Sequence, residues 1–134
     1  MAKLGLGVLA AFALAGCIGP LTPAQRVQEA AQDMNTAARF GRMDIAFERV
    51  SNKGREDFAK RHAAWGSRVR ILDYDFQGLA LKDQETAEVM VTIGWQRPDE
   101  SDIRSTTIVQ HWKDHRGSWL LESEERGSGD VGLL

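Results

Sequence analysis

Apolar side chains recur at three- and four-residue spacing after Thr22, which predicts an amphipathic helix. Thr22 and Gln25 match a Thr-x-x-Gln capping box, and Pro23 suits the first helical position. Gly41 can adopt the left-handed conformation that ends a helix. The apolar stripe is dominated by alanine and comprises Val27, Ala30, Ala31, Met34, Ala37 and Ala38. Because alanine is small, another element is expected to approach this helix closely.

Two shorter helices are predicted to follow. The second repeats the same spacing with Met43, Ala46, Phe47 and Val50, and the polar stretch 51–54 interrupts it. The third covers residues 55–65 and carries Phe58, His62 and Trp65 on one side. Three consecutive helices with short connections predict a compact helical layer.

The hydrophobic period changes to two after Arg68, which predicts β-strands. A first strand is predicted up to Leu81, with a bulge at Gly78. The second is the clearest, because apolar residues occupy every other position from Ala87 to Trp95. Two further strands are predicted over residues 103–113 and 118–124. Helices followed by four strands with short loops predict an α+β domain, in which N-terminal helices pack on a four-stranded antiparallel meander sheet.

Residues 4–15 form an apolar stretch that follows Lys3 and leads into Leu14-Ala15-Gly16-Cys17, where the only cysteine lies. This stretch has the length of a secretory signal and is shorter than the roughly 20 apolar residues that span a bilayer. Leu14-Ala15-Gly16-Cys17 resembles the lipobox of bacterial lipoproteins. The resemblance implies cleavage between Gly16 and Cys17 and attachment of acyl chains such as palmitate to the Cys17 thiol. The alternatives are an ordinary signal peptide before a free cysteine, and a cytoplasmic protein with an apolar N-terminus.

The lipobox resemblance also implies a location and a division of the chain. In Gram-negative lipoproteins an aspartate after the modified cysteine usually signals retention in the inner membrane, so Ile18 favours the outer membrane, with the protein facing the periplasm. The predicted segments are a signal peptide over residues 1–16, a lipidated tether over 17–22, the α+β domain over 23–126 and a flexible tail over 127–134.

The charge of the chain limits its partners. The signal peptide contains one of the 17 basic residues and none of the 19 acidic residues, so the remaining 118 residues carry a net charge of −3. A weakly acidic chain without a basic cluster argues against nucleic acid as a partner. It also argues against a second, electrostatic contact with the membrane. No cofactor is predicted.

The order of the predicted elements resembles the NTF2-like superfamily, which is also described as SnoaL-like or cystatin-like. Three stretches carry the resemblance: Gly41-Arg42-Met43-Asp44, the break over residues 51–55, and His111-Trp112 followed by Arg116-Gly117-Ser118-Trp119-Leu120-Leu121. The resemblance implies a curved sheet wrapped around the helices, often with a cone-shaped pocket. It implies no single function, because members of the superfamily differ widely in what they do.

Asp73, Tyr74 and Asp75 are similar to the acid–base groups of ketosteroid isomerase-like members of the superfamily. Such chemistry needs a carboxylate in an apolar pocket and a tyrosine that donates to an oxyanion. Strand alternation places Tyr74 on the face opposite both acids, so an inward Tyr74 leaves Asp73 and Asp75 in solvent. No catalytic residue is therefore predicted.

The sequence predicts no metal site. His111 and His115 are four residues apart, a spacing that serves a metal on a helix, but here a strand runs into a turn. His62 is distant in sequence from both. Surface histidines are the favoured interpretation.

Four aromatic residues are candidates for the wall of a pocket that would hold a small apolar ligand: Tyr74, Trp95, Trp112 and Trp119. The favoured interpretation is that the indoles, together with that of Trp65, belong to the hydrophobic core. A homodimer through the sheet is a further hypothesis, because Met90, Thr92, Gly94 and Gln96 give the outer face of the second strand little charge. Simple exposure of a polar sheet face is the competing interpretation.

Three functions stay open. The favoured one is a lipid-anchored, non-catalytic domain of the cell envelope that binds a protein partner or assists assembly. The others are a carrier of a small apolar ligand in the cone and an isomerase- or dehydratase-like enzyme that uses Asp73 or Asp75. The first is favoured because the sequence carries an anchor and no acid–base site.

Overall fold

The computed structural model describes residues 19–134, so the predicted signal peptide, Cys17 and Ile18 lie outside the described residues. Three helices precede four strands: α1 (Pro23–Arg39), α2 (Met43–Phe47), α3 (Arg55–Arg61), β1 (Arg70–Leu81), β2 (Thr86–Gln96), β3 (Arg104–His115) and β4 (Ser118–Gly129). The strands form one antiparallel sheet in the order β1-β2-β3-β4. This confirms the predicted α+β meander. Within residues 19–134, no helix combines the length and apolar character needed to cross a bilayer.

Helix α1 begins and ends as its sequence predicts. The Thr22 hydroxyl accepts from the Gln25 amide N–H at 3.2 Å, and the Gln25 side chain accepts from the Thr22 amide N–H at 2.9 Å. Gly41, with φ of +73°, follows the end of the helix. The buried side of α1 contains the predicted stripe and one polar residue, Asn35.

Helices α2 and α3 are shorter than predicted. The chain leaves the helical path after Phe47, because residues next to Val50 form backbone hydrogen bonds with β4. The amide N–H of Leu121 donates to the Arg49 carbonyl at 2.8 Å, and that of Ser51 donates to the Leu121 carbonyl at 2.9 Å. These hydrogen bonds fasten the connection between α2 and α3 to the sheet.

Strand β1 lies at an edge of the sheet and contains two irregularities. Its register against β2 shifts between Ile71 and Asp73 and again between Phe76 and Gly78, which confirms the bulge predicted near Gly78. At the first irregularity, the Arg39 guanidinium donates to the Leu72 carbonyl at 2.9 Å. The edge of the sheet is thereby linked to α1.

The core lies between the helices and one face of the sheet. The inward residues of β2 are the alternating set predicted from the sequence, Ala87, Val89, Val91, Ile93 and Trp95. The outer face presents Met90 opposite Val109, and the hydroxyls of Thr92 and Thr107 are 2.9 Å apart. The predicted homodimer would form through this uncharged strip of the outer face, and it stays a prediction.

The C-terminal residues differ from the flexible tail predicted over 127–134. Strand β4 continues to Gly129, and the Leu133 side chain is buried. The Thr106 hydroxyl donates to the Asp130 carbonyl at 2.7 Å, and the Trp65 indole N–H donates to the Leu133 carbonyl at 3.2 Å. The glycines in this segment suggested a frayed end, but the apolar contact of Leu133 and these hydrogen bonds hold it against the domain.

Candidate functional site

A chain of polar side chains crosses the otherwise apolar interior. Gln110 on β3 lies opposite Glu124 on β4, and both point into the core, where the Glu124 side chain is 0% exposed. Asn35 reaches them from α1, and His62, which is the residue directly after α3, reaches them as well. Together with Arg61, these residues form the interior polar network.

The interior polar network is continuous from α1 to α3. Asn35 and Gln110 exchange two amide hydrogen bonds, of 3.0 and 2.8 Å. The Gln110 Nε2 also donates to Glu124 Oε2 at 3.2 Å. The other oxygen, Oε1, accepts from His62 Nε2 and from Arg61 Nε, the latter at 3.4 Å. Both oxygens of Glu124 are therefore occupied by protein donors.

The network keeps Glu124 ionised despite its burial. Burial raises the pKa of this carboxyl. The charge and hydrogen bond of His62, the charge of Arg61 and the hydrogen bond from Gln110 together lower it by more than burial raises it. The pKa of Glu124 therefore lies below the ordinary value of 4.5. A buried carboxylate is tolerated only with such partners. The network thus links α1 and α3 to β3 and β4 through Gln110 and the Glu124 carboxylate.

Tyr74 lies beside this network with its proton retained. Burial, opposed by the neighbouring Asn35 amide and assisted by the charge of Asp75, raises the pKa of Tyr74 to about 12. Within residues 19–134, three buried polar atoms have no hydrogen-bond partner of normal geometry: Tyr74 Oη, His62 Nδ1 and Trp112 Nε1. Such atoms are uncommon in protein interiors.

The four candidate pocket residues lie in the hydrophobic core or against it. Trp95, Trp112 and Trp119 are buried in the core, and Tyr74 packs against it. The Trp95 indole N–H donates to the Thr106 hydroxyl at 2.9 Å. Of five cavities within residues 19–134, four include none of these residues in their walls. The fifth, of about 160 Å³, includes Trp119. The arrangement favours the interpretation that the indoles are core residues.

Asp73 and Asp75 are exposed, on the face of β1 opposite Tyr74, as strand alternation predicts. The Asp75 carboxylate accepts from the Gln77 amide at 2.8 Å. Neither carboxylate enters the interior. The structure therefore does not assemble Asp73, Tyr74 and Asp75 into one acid–base site.

His111 and His115 contact different carboxylates. His111 lies between Glu125, at 3.0 Å, and Glu88, at 3.7 Å, whereas His115 contacts Glu122 at 2.7 Å. All these groups are partly or fully exposed. Residues 19–134 contain no group of three or more side chains arranged to hold a metal ion.

Asn35, Gln110 and Glu124 are not among the site residues predicted from the sequence. The available signal was a polar residue at an inward position of an alternating strand, since Gln110 follows Thr106 and Ile108 at spacing two. Glu124 gave a weaker signal. The register of β4 shifts after Leu121, so that simple alternation from Leu121 would place Ser123 inward instead.

No protein-family model matches the sequence, and no curated protein matches it. Solved structures do. A ketosteroid isomerase-like protein from Erwinia carotovora atroseptica is 11% identical, with a TM-score of 0.64 over 78% of this chain and 96% of the other. An NTF2-like protein from Cytophaga hutchinsonii is 10% identical, with a TM-score of 0.57 over 75% and 93%. A SEC-C motif containing protein from Rhodopseudomonas palustris is 17% identical, with a TM-score of 0.63 over 78% and 80%.

Similarity at these identities establishes the arrangement of the backbone and nothing about activity. The similarity extends over three quarters of the chain or more. The chain therefore has the NTF2-like fold, with its helices packed on a four-stranded antiparallel meander.

Proposed function

We propose that this protein is a lipid-anchored lipoprotein of the bacterial cell envelope whose NTF2-like domain binds a protein partner. The anchor rests on Leu14-Ala15-Gly16-Cys17, which resembles a lipobox, and the outer membrane is favoured by Ile18. Each buried CH₂ of an acyl chain contributes about 0.8 kcal/mol, so two or more chains on Cys17 make attachment durable. The domain then works next to a membrane surface.

Replacing Cys17 with serine is expected to abolish the anchor, because a hydroxyl does not accept the lipid. Cys17→Ser protein should incorporate no radiolabelled palmitate and should move from the membrane pellet to the soluble fraction of broken cells. On a density gradient, the wild type is expected in the outer-membrane fraction. A Cys17→Ser protein that sediments as tightly as the wild type would contradict the anchor.

The observation that carries partner binding is an open groove of about 670 Å³ between α1 and α2. Phe40 lies in its wall with 68% of its surface exposed, and Ile45 also lies in its wall, with 37% exposed. Ala37 of the buried α1 stripe also lines the groove. Exposed aromatic rings such as Phe40 are enriched at protein interfaces.

The charges around the groove indicate the type of partner. Arg49 contacts Asp33 at 2.9 Å, and Arg42 contacts Asp44 at 3.6 Å. The wall carries two basic residues, Arg42 and Arg49, and two acidic residues, Asp33 and Glu48, so the groove offers no excess of one sign to attract an ionic ligand. The proposed occupant is a segment of an envelope protein that inserts an apolar side chain between Phe40 and Ile45.

The groove is also accessible in the anchored protein. Helix α1 has 17 residues and is therefore about 25 Å long. The tether enters at Thr22, before the first turn of α1, whereas Phe40 follows its last turn. The groove thus lies at the end of α1 remote from the lipid, where a periplasmic partner can reach it.

Asp73 and Asp75 are exposed and give no support to the isomerase-like alternative.

Replacing Phe40 with alanine is expected to weaken partner binding at least about tenfold, since an aromatic anchor is lost. A photo-crosslinking residue at Thr36, in the groove wall, should give one protein adduct in intact cells of the native host, and Phe40→Ala should remove it. The control site is Ile103, which is 72% exposed on the loop between β2 and β3. An adduct that is insensitive to Phe40→Ala, or that forms equally from position 103, would refute the groove as the binding site.

A further inference from the structure

A polar groove of about 430 Å³ lies where the connection between α2 and α3 runs beside β4. Its wall combines residues of this connection with residues of β3 and β4, among them Lys113, His115 and Glu122. We refer to it as the β4 groove. It differs from the groove between α1 and α2 because lysine and arginine outnumber the acidic residues of its wall.

Three basic residues in the wall of the β4 groove have no acidic partner. Lys53 lies in the connection, Arg55 is the first residue of α3, and Lys113 lies near the end of β3. Within residues 19–134, no carboxylate oxygen lies within 4.0 Å of the charged nitrogen atoms of these three side chains. Like charges around one cavity repel each other, and a bound anion would relieve that repulsion.

The acidic residues of the wall do not cancel this excess. Both oxygens of Glu122 are engaged: Oε1 contacts His115 Nε2 at 2.7 Å, and Oε2 accepts from the Ser51 hydroxyl at 3.2 Å. Glu48 is the other acidic residue of the wall. Three lysine or arginine side chains, together with His115, therefore face two carboxylates. An excess of this size favours an anion with one charged group over a polyanion.

The segment that carries Lys53 and Arg55 is fixed against β4. A Cβ atom on Gly54, which lies between them, would be 2.6 Å from the Glu122 carbonyl oxygen, so the backbone approaches the strand as closely as a glycine allows. The Gly54 amide N–H donates to the Ser51 hydroxyl at 3.1 Å. An anion would thus bind to donors whose backbone is already in place, which lowers the entropy lost on binding.

We propose that the β4 groove binds a small phosphate monoester and that Lys53, Arg55 and Lys113 donate to its phosphate oxygens. A phosphate monoester offers three strong acceptor oxygens and a carboxylate two, so three basic donors on separate elements match the phosphate better. The volume lies within the roughly 300–1,000 Å³ of small-molecule sites and leaves room for the esterified group. The phosphate belongs either to a soluble molecule or to a lipid headgroup such as that of phosphatidic acid.

The test uses glycerol 3-phosphate and glycerol, which differ by the phosphate group. The full-length chain is labelled with ¹⁵N, kept in the uncharged and phosphate-free detergent dodecyl maltoside, and titrated with each compound. Glycerol phosphate is expected to shift the backbone amide signals of Asn52, Lys53 and Lys113 saturably, and glycerol is expected to shift none of them.

Replacing one donor provides the second arm. Lys113→Gln is expected to weaken the binding of glycerol phosphate at least about tenfold, because a hydrogen bond between charged groups is lost. The matched control is Lys60→Gln, which removes the same charge from an exposed residue of α3 that pairs with Glu56 at 3.1 Å outside the groove wall. It should leave binding unchanged. The proposal is overturned if glycerol phosphate causes no saturable shift, if glycerol binds equally well, or if the two variants bind equally.

Vesicles identify the source of the phosphate. The full-length protein is reconstituted in phosphatidylcholine vesicles with and without phosphatidic acid. A lipid ligand would compete and weaken the binding of glycerol phosphate, whereas a soluble ligand would leave it unchanged, and either result supports the site. Phe40→Ala should not affect this binding, because Phe40 lies outside the wall of the β4 groove. Failure of the phosphate site is therefore distinguishable from failure of the proposed partner groove.

Discussion

Replacement of Glu124 by alanine is expected to destabilise the folded protein by about 3–5 kcal/mol, because it removes one partner from a buried, charged network. His62, Gln110 and Arg61 would each lose the acceptor that they share. Folded domains are stable by only about 5–15 kcal/mol, so this is a large fraction of the total. Urea unfolding in a Cys17→Ser background, followed by the fluorescence of the buried tryptophans, measures the loss.

The neighbouring residue supplies a matched control. Glu125 has 67% of its side chain exposed and contacts His111 at 3.0 Å. Exposed ion pairs contribute about 0–1 kcal/mol, so Glu125→Ala is expected to change the free energy of unfolding by less than about 1 kcal/mol. Equal losses in the two variants would show that the burial of Glu124 does not matter.

The pH dependence of stability identifies the same carboxylate. Because the pKa of Glu124 in the folded protein lies below the ordinary 4.5, the unfolded chain binds its proton first as the pH falls. The stabilisation is therefore complete above about pH 4.5 and is lost as the pH falls through the folded pKa. The wild type should lose stability more steeply with acid than Glu124→Gln, and parallel pH profiles would contradict this assignment.

Replacement of Gly54 by alanine is the second change with a large expected effect, a loss of about 1–3 kcal/mol from overpacking. A Cβ atom at this buried position would lie 2.6 Å from the Glu122 carbonyl oxygen and 3.3 Å from that of Leu121. Both oxygens belong to the backbone of β4, which pairs with residues 49–51 and so cannot move aside freely. Thermal or urea unfolding of Gly54→Ala measures the loss.

Gly78 in β1 is the control for Gly54. A Cβ atom built there meets nothing within 4 Å. Gly78→Ala is expected to leave the free energy of unfolding unchanged or to raise it by about 0.4–1 kcal/mol, because alanine restricts the unfolded chain. If Gly54→Ala were as stable as Gly78→Ala, the close contact with β4 would not be a constraint.

Local signals predict much of this fold. The capping box at Thr22 and the period of two in β2 depend on neighbours in the sequence, and both elements form as predicted. The ends of α2 and α3 do not depend on local signals alone. Val50 leaves the helical path to pair with Leu121, and Trp65 lies beyond α3, where its indole contacts Leu133. Those contacts join residues about 70 positions apart, which no local pattern reports.

The interior polar network was missed for a related reason. Glu124 points inward only because the register of β4 shifts after Leu121, and a shift by one residue exchanges the two faces of a strand. His62 was placed correctly beside Phe58 and Trp65, but its partner lies on another element. The chemistry of the site thus depends on a bulge that periodicity alone does not reveal.

If the protein is anchored as proposed, the two irregularities of β1 bear on how densely it can be crowded on a bilayer. A regular, apolar edge strand offers its free backbone groups to the same strand of a neighbouring molecule, and anchoring in a plane raises the frequency of such encounters. Here the edge is interrupted twice, carries Asp73 and Asp75 in exposed positions, and has its Leu72 carbonyl taken by Arg39. Stacking of neighbours through this strand is thereby disfavoured, which would keep molecules that are anchored as proposed from aggregating into sheets.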